Sequence, residues 1–211
     1  MPDSLDELLN VYDAEGSVVG AMPRAEAKAS GRAVGAVNVL LVNARGEVLL
    51  QRRARDKENG GHWDKSVGGH VAAGEDFDQA AIREAGEELF DDSRSPRIVL
   101  ARDEADFAAR LAAADLGTSV VFRRVSFQRG LRDVRRTPGG SLVNVVYHVA
   151  VYLGRTDVAV EGFRPQADEI AGLAWVRPPD VDAMLLAGAL APNMAFLWLT
   201  HAGRLLEMVP R

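Results

Sequence analysis

The chain has 211 residues, 47% of them hydrophobic and 26% charged, with 25 basic against 30 acidic side chains and no cysteine. That composition excludes the fibrous and disordered classes, disulfides, thiolate metal sites and cysteine nucleophiles, and leaves carboxylates, histidines or backbone oxygens to hold any metal. The length is enough to bury a full core in one domain, and a net charge of -5 argues against broad binding to nucleic acid or anionic lipid while allowing a local basic cluster to hold a small anion.

The start, MPDSLDELL, is acidic, and nowhere do about 18 apolar residues follow one another, so neither a leader nor a membrane span is expected and the expected location is the cytoplasm. From 8 to 50, short β-prone runs (LLNVYDA, SVVGAM, AVNVLLVNA, EVLLQRR) separated by turn chemistry at Glu15-Gly16 and Arg45-Gly46 predict sheet, with residues 1–32 as a β-rich extension. ENGGH, 58–62, predicts a Gly-rich loop, and WDKSVGGHV a short strand that breaks at Gly68-Gly69. The loop AAGED leads into a helix over 76–90, whose apolar stripe is Phe77, Ala80, Ala81, Ala85 and Leu89 and whose opposite side is acidic. Gly86 inside it costs about 1 kcal/mol relative to Ala, so the helix needs packing to stand.

Residues 91–117 are expected to form a helical insertion with a turn and a short strand before the helix DEADFAARLAAADLG. Two longer β-prone runs, 119–129 and 141–153, are joined by a segment with the turn signal TPGG at 137–140 and are expected to pair. A strand over 170–176 and helices over 178–187 and 194–208 complete the series, with no internal repeat or interdomain linker, so 1–211 reads as a single domain.

The chemistry concentrates in GHVAAGEDFDQAAIREAGEEL, from Gly69 to Leu89. On a helix Glu84, Glu87 and Glu88 stand at i, i+3 and i+4, so their carboxylates gather on one face. Like charges there repel, and a hard divalent cation ligated by oxygens turns the repulsion into binding. Arg83 precedes them, and Glu75, eight residues earlier, is placed to orient it through a charge-assisted pair. A bare ExxEE is more often a solvated acidic face. Six fixed matches to G-x5-E-x7-R-E-x2-E-E, at roughly 6% usage each, carry a chance probability on the order of 10⁻⁵ in a chain of this size.

These residues resemble the signature box of the Nudix hydrolase family, filling six of its seven fixed Gly, Glu and Arg positions. The box's later glycine is Phe90 here, its final aliphatic position is Asp91, and the aliphatic inside the REx2EE core is the small Ala85. The resemblance implies an α/β fold, an α/β/α sandwich with a mixed sheet, a loop-helix-loop holding Mg²⁺ or Mn²⁺, and hydrolysis of a nucleoside diphosphate linked to another moiety. It implies Glu84, Glu87, Glu88 and the Gly69 carbonyl as metal ligands, with Glu84 and the later Glu169 as candidates for the catalytic base beside Arg83. A wider resemblance, from about Val11 to Phe90 and again near 168–176, is to the branch that includes type I isopentenyl diphosphate isomerase. That enzyme's essential cysteine falls at Gly68, a metal histidine falls near Val34, and the 141–152 strand lacks its carboxylates; only His70 matches. A hydrolase is therefore expected ahead of a prenyl diphosphate isomerase or a catalytically silent nucleotide-binding domain.

Arg52, Arg53 and Lys57 lie where that branch places basic residues against diphosphate, and Arg suits phosphate by its fork geometry; the alternative is a basic cluster at a strand end. His62 and His70 are candidates for metal or phosphate contact, Trp63 for stacking on a base or for the core, and His148 for a hydrogen-bonded bystander. The Arg-rich run 122–136 reads as the solvent face of a sheet, so the expected partner is a small-molecule diphosphate, with neither a nucleic acid polymer nor a membrane. Leu197, Trp198, Leu205 and Met208 predict a packing helix at the C-terminus, with a homodimer surface as the lesser reading. Specificity is expected from the loops 91–117 and 154–169, which carry no readable motif.

Overall fold

The computed structural model describes residues 7–136, 142–165 and 169–210. Ten strands among these residues make one mixed sheet. The strands are β1 (Leu8–Tyr12), β2 (Val18–Pro23), β3 (Ala33–Val42), β4 (Val48–Arg53), β5 (Trp63–Asp64), β6 (Val67–His70), β7 (Ile98–Ala101), β8 (Val120–Arg136), β9 (Leu142–Arg155) and β10 (Ile170–Val176). Five helices accompany them: α1 (Arg24–Ala29), α2 (Phe77–Phe90), α3 (Glu104–Ala113), α4 (Pro178–Leu186) and α5 (Pro192–Leu206). The main path runs β10-β4-β3-β9-β8-β7. The pairs β3–β9 and β7–β8 are parallel, and the pairs β8–β9 and β10–β4 are antiparallel.

One irregularity of the sheet positions the site. β3 and β4 meet only at Val42↔Val48 and then diverge. Into the gap comes the segment 63–70: β5 pairs with β4 (Gln51↔Asp64, Arg52↔Trp63) and β6 with β3 (Ala36↔His70 to Val39↔Val67). Ser66 pins the crossing, its hydroxyl donating to the Leu49 carbonyl (2.6 Å) and accepting from the Leu41 N–H (2.9 Å). The expected strand break at Gly68-Gly69 is therefore corrected to Lys65-Ser66. The two glycines lie inside β6, and close approach of neighbouring side chains, rather than a turn, is what excludes a Cβ there.

The alternation of β3 splits the core in two, as the period-two pattern requires. Val37, Val39 and Leu41 pack under α2 with Leu49, Val67, Phe122, Ala150 and Tyr152. Leu40 and Val42 pack on the other face with Leu50, Val149, Val151 and the residues of α4 and α5. This is the α/β/α layering that the α/β reading anticipates. α1 lies within the N-terminal stretch read from sequence as β-rich, where no helix was expected; its six residues are too few to show a helical period. The segment 91–117 supplies β7, at the sheet edge beside β8, and α3, which buries Phe107 with Ala101 and Val121. The β8–β9 pairing is present, and its TPGG turn lies outside the described residues. Among the described residues no helix is long and apolar enough to cross a membrane.

Candidate active site

Helix α2 starts on a capping box: the Asp76 carboxylate accepts from the Gln79 N–H (2.8 Å), and the Gln79 side chain accepts from the Asp76 N–H (2.9 Å). It ends where Asp91 takes the left-handed conformation (φ 52°), a role usually given to glycine that Asp tolerates. Phe90, in the place of the box's glycine, stacks near Phe163 at 5.7 Å and under the Arg97 guanidinium at 3.9 Å. Gly86 is explained by the chain that follows: a Cβ there would collide with the Asp92 carbonyl, and the Asp92 N–H donates back to the Gly86 carbonyl at 3.0 Å.

Arg83 is the hub. Its Nε and Nη2 donate to the two oxygens of Glu75 (2.8 and 3.0 Å), a bidentate pair. Nη1 donates to Glu84 (2.9 Å) and Glu87 (3.1 Å), and Nη2 also reaches the His70 carbonyl (3.0 Å). Burial works against this cation, but the carboxylates of Glu75, Glu84 and Glu87 outweigh it and hold its pKa above the ordinary value. Glu7, just before β1, belongs to the same cluster: burial raises its carboxyl, Arg83 opposes this, and Glu75 and Glu87 add to it.

Glu84 lies against Gly69 so closely that a Cβ on the glycine would fall inside the carboxylate. Burial pushes Glu84 up to about 7, with Glu87 reinforcing the shift and Arg83 opposing it. Glu88, 7% exposed, accepts from the Gly68 N–H (3.0 Å) and from Gln51 Nε2 (3.4 Å). Burial and then the neighbouring Glu84 raise its pKa well above the carboxylate range, against the pull of the Gly68 amide and Lys65. Lys65 is itself buried, ion-paired with Asp64 at 3.3 Å, and its Cε occupies the space a side chain on Gly68 would need.

The other residues expected at the site divide between the sheet faces. Arg53 lies 3.4 Å from Asp64, and Lys57 lies 3.9 Å from Glu169, whose charge is felt by Glu88. Arg52, of opposite parity on β4, pairs with Trp63 instead. His70 sits opposite Ala36 with its ring 6.1 Å from Tyr147. Burial, then Lys28, Arg24, Lys65 and Arg83, holds its pKa well below the usual histidine value, so it is neutral. His62 is exposed and bonded to the Asn59 carbonyl, while His148 ties the Asp13 carbonyl (2.8 Å) to the Gly130 N–H (3.1 Å) as a structural bystander. Sequence reasoning missed Glu7, Arg24, Lys28, Gln51 and Lys65. The i, i+4 spacing of Arg24 and Lys28 was the one available signal; the rest are brought in by tertiary contact alone.

Among the described residues no three Asp, Glu or His side chains converge in a metal-holding group. Glu84 and Glu87 turn to Arg83, and Glu88 turns to Gly68. The donor chemistry nevertheless suits a hard divalent cation: oxygen ligands only, two of them on buried carboxyl groups whose charged form burial disfavours and a cation would favour.

A mixed sheet sandwiched by helices, with an acidic helix pressed against two central glycines, defines a protein built to place carboxylates and one arginine at a strand gap. A family model described as the NUDIX domain matches residues 32–196, and the chain belongs to the Nudix hydrolase family. An uncharacterized Nudix hydrolase of Pseudomonas aeruginosa is 39% identical over 84 residues, which are 39% of this chain and 50% of that one. An isopentenyl-diphosphate Delta-isomerase of Nocardia farcinica is 32% identical over 181 residues, 85% of this chain and 84% of that one. The chain thus spans about half the length of the first of these curated relatives and most of the second. Among solved structures, the Deinococcus radiodurans protein DR0079 shares the fold with a TM-score of 0.62 and 24% identity, over 94% of this chain and 98% of that one.

Proposed function

We propose that the protein hydrolyses a diphosphate linkage in a nucleoside diphosphate derivative, with Mg²⁺ or Mn²⁺ as cofactor. The observation that carries this reading is the Arg83 hub, which draws Glu75, Glu84 and Glu87 together beside the buried Glu88. Glu84, Glu87, Glu88 and the Gly69 carbonyl are the groups that would hold the cation. When bound, such a cation would neutralise the phosphoryl oxygens and make water a stronger nucleophile. The chain's own residues do the rest. Arg83, fixed by Glu75, orients Glu84 and Glu87, and Arg53 and Lys57 face the substrate phosphates. Glu84, held by Arg83, and Glu169, beside Lys57, are the two candidates for the base.

Glu88→Gln keeps the shape and the Gly68 amide bond. It is expected to leave the circular dichroism spectrum unchanged while lowering metal-dependent turnover about a hundredfold or more, since the cation contributes several kcal/mol to such reactions. Unaltered turnover on an accepted nucleoside diphosphate derivative would reject the reading.

The Nocardia relative favours a second reading, isomerisation of a prenyl diphosphate. Against it stands Gly68, where the isomerase branch carries its essential cysteine: Lys65 fills the side-chain space there. Deuterium exchange from solvent into isopentenyl diphosphate by the purified protein would revive it. We further propose that 1–211 is one domain, with 91–117 integral to the edge of its sheet.

A further inference from the structure

Lysine is scarce in this chain: 3 lysines stand against 22 arginines. All three border the carboxylate site. Lys57 pairs with Glu169, the charge of Lys28 acts on Glu7 and His70, and Lys65 acts on Glu88. Lys65 is the most buried of them, 5% exposed, and the chemistry above gives it no task. A lysine is rarely buried unless paired, and a buried ion pair adds little net stability because desolvation offsets its attraction. Its presence beside the site therefore calls for another use.

The partner of Lys65 is the buried Asp64, whose carboxylate gathers two cations. Lys65 Nζ lies 3.3 and 3.4 Å from the two Asp64 oxygens, and Arg53 Nη1 lies 3.4 Å from one of them. These contacts are long beside ordinary charge-assisted bonds of about 2.7–2.9 Å, so the ammonium is held loosely. The carboxylate itself is fixed more tightly, because Oδ1 accepts from the Lys65 backbone N–H at 2.8 Å. Asp64 therefore keeps that amide and Arg53 as partners if the ammonium turns away.

Gly68 joins this pair to the carboxylates. The Lys65 stem fills the side-chain space of Gly68, with Nζ 2.8 Å from where a Cβ would stand, and the Gly68 N–H donates to Glu88 at 3.0 Å. The missing side chain at 68 is what lets the ammonium come so near Glu88. Arg83 is committed to Glu75, Glu84 and Glu87, so the charge of an arriving diphosphate falls to other cations. A compact ammonium on a flexible stem suits an exchange of one anion for another. We propose that Lys65 is a further substrate-binding residue, its ammonium leaving Asp64 to contact the diphosphate beside Gly68. It adds to the Arg53 and Lys57 contacts and rests on the reading above that the substrate carries a diphosphate.

The test titrates the full chain, in EDTA, with inorganic pyrophosphate. Lysine labelled with ¹³C gives one ε-methylene NMR signal per lysine; Lys28→Gln and Lys57→Gln assign two of the three and leave Lys65 by elimination, so no Lys65 variant need fold. The Lys65 and Lys57 signals are expected to shift along one saturation curve. A Lys65 signal that stays fixed while that of Lys57 saturates, or no shift of either, overturns the assignment. By calorimetry, Lys65→Met is expected to bind pyrophosphate about tenfold more weakly, the loss of one charged contact. A Lys65→Met protein with the wild-type circular dichroism spectrum and wild-type affinity overturns it too. Turnover separates the two readings. Wild-type protein that shows the Lys65 shift yet hydrolyses no nucleoside diphosphate derivative with Mg²⁺ or Mn²⁺ refutes the hydrolase and leaves the lysine contact. Turnover with the same KM and kcat in wild type and Lys65→Met refutes the lysine contact and leaves the hydrolase.

Discussion

Helices α2 and α5 lie against opposite faces of one sheet and reach it with different side chains. α5 buries Met194, Leu197, Trp198 and Leu205, bulky groups that fill the space with dispersion contacts. α2 buries Ala80, Ala81, Ala85 and Gly86, with Leu89 and Phe90 only at its end. Small residues let its backbone come close, and closeness puts Glu84 onto Gly69 and Glu88 onto the Gly68 amide. The charge that α2 buries is tolerated because Arg83 and the sheet amides answer it. One face thus holds the fold, and the other gives up packing volume to confine carboxylates.

Arg83→Met breaks the contrast most severely. It leaves three carboxylates without their shared cation, and a stability loss of about 4 kcal/mol is expected by chemical denaturation. Leu197→Ala on the opposite face should cost roughly 3 kcal/mol through cavity formation, yet leave turnover near wild type at a temperature where the variant is folded. Turnover that falls in step with site mutants would show that the faces are coupled. Ala85→Leu forces α2 away from the sheet; overpacking costs about 2 kcal/mol, and the larger expected effect is on kcat, because Glu84 and Glu88 lose their register with the glycines.

The smallest effect is in pH. Glu84 has a folded pKa of about 7, raised by burial above its ordinary value of 4.5, so the folded state binds this proton more tightly than the unfolded one. Its contribution to stability is complete below about pH 4.5 and is lost as pH rises through 7. Metal-free protein should therefore melt about 3 °C lower at pH 8 than at pH 5.5, and Glu84→Gln should flatten that slope. Thermal scans at the two pH values decide it, and an equal slope in the variant would show that another group is responsible.

Much of this arrangement was legible in one dimension. β-prone runs bounded by turn residues marked β3, β4, β9 and β10, and 3.6-residue spacing marked α2, because each pattern is a property of neighbours along the chain. The box showed Arg83, Glu84, Glu87 and Glu88 on one helix and Glu75 before it. α1 was hidden because six residues carry no readable period, and the Gly68-Gly69 pair was misread as a break because glycine signals either a turn or a close approach. Lys65 and Gln51 carried no signal of a site role; both lie in otherwise ordinary β-prone runs.

Residue order was enough to specify the rods and strands and the shared helical face of three glutamates, since those follow from backbone geometry over a few bonds. What became of the glutamates depended on long-range contacts: the splay of β3 from β4, the segment 63–70 that fills it, and the burial that lifts Glu84 and Glu88. Desolvation and strand insertion are set by segments remote in the chain, and spacing along it does not encode their separations in space.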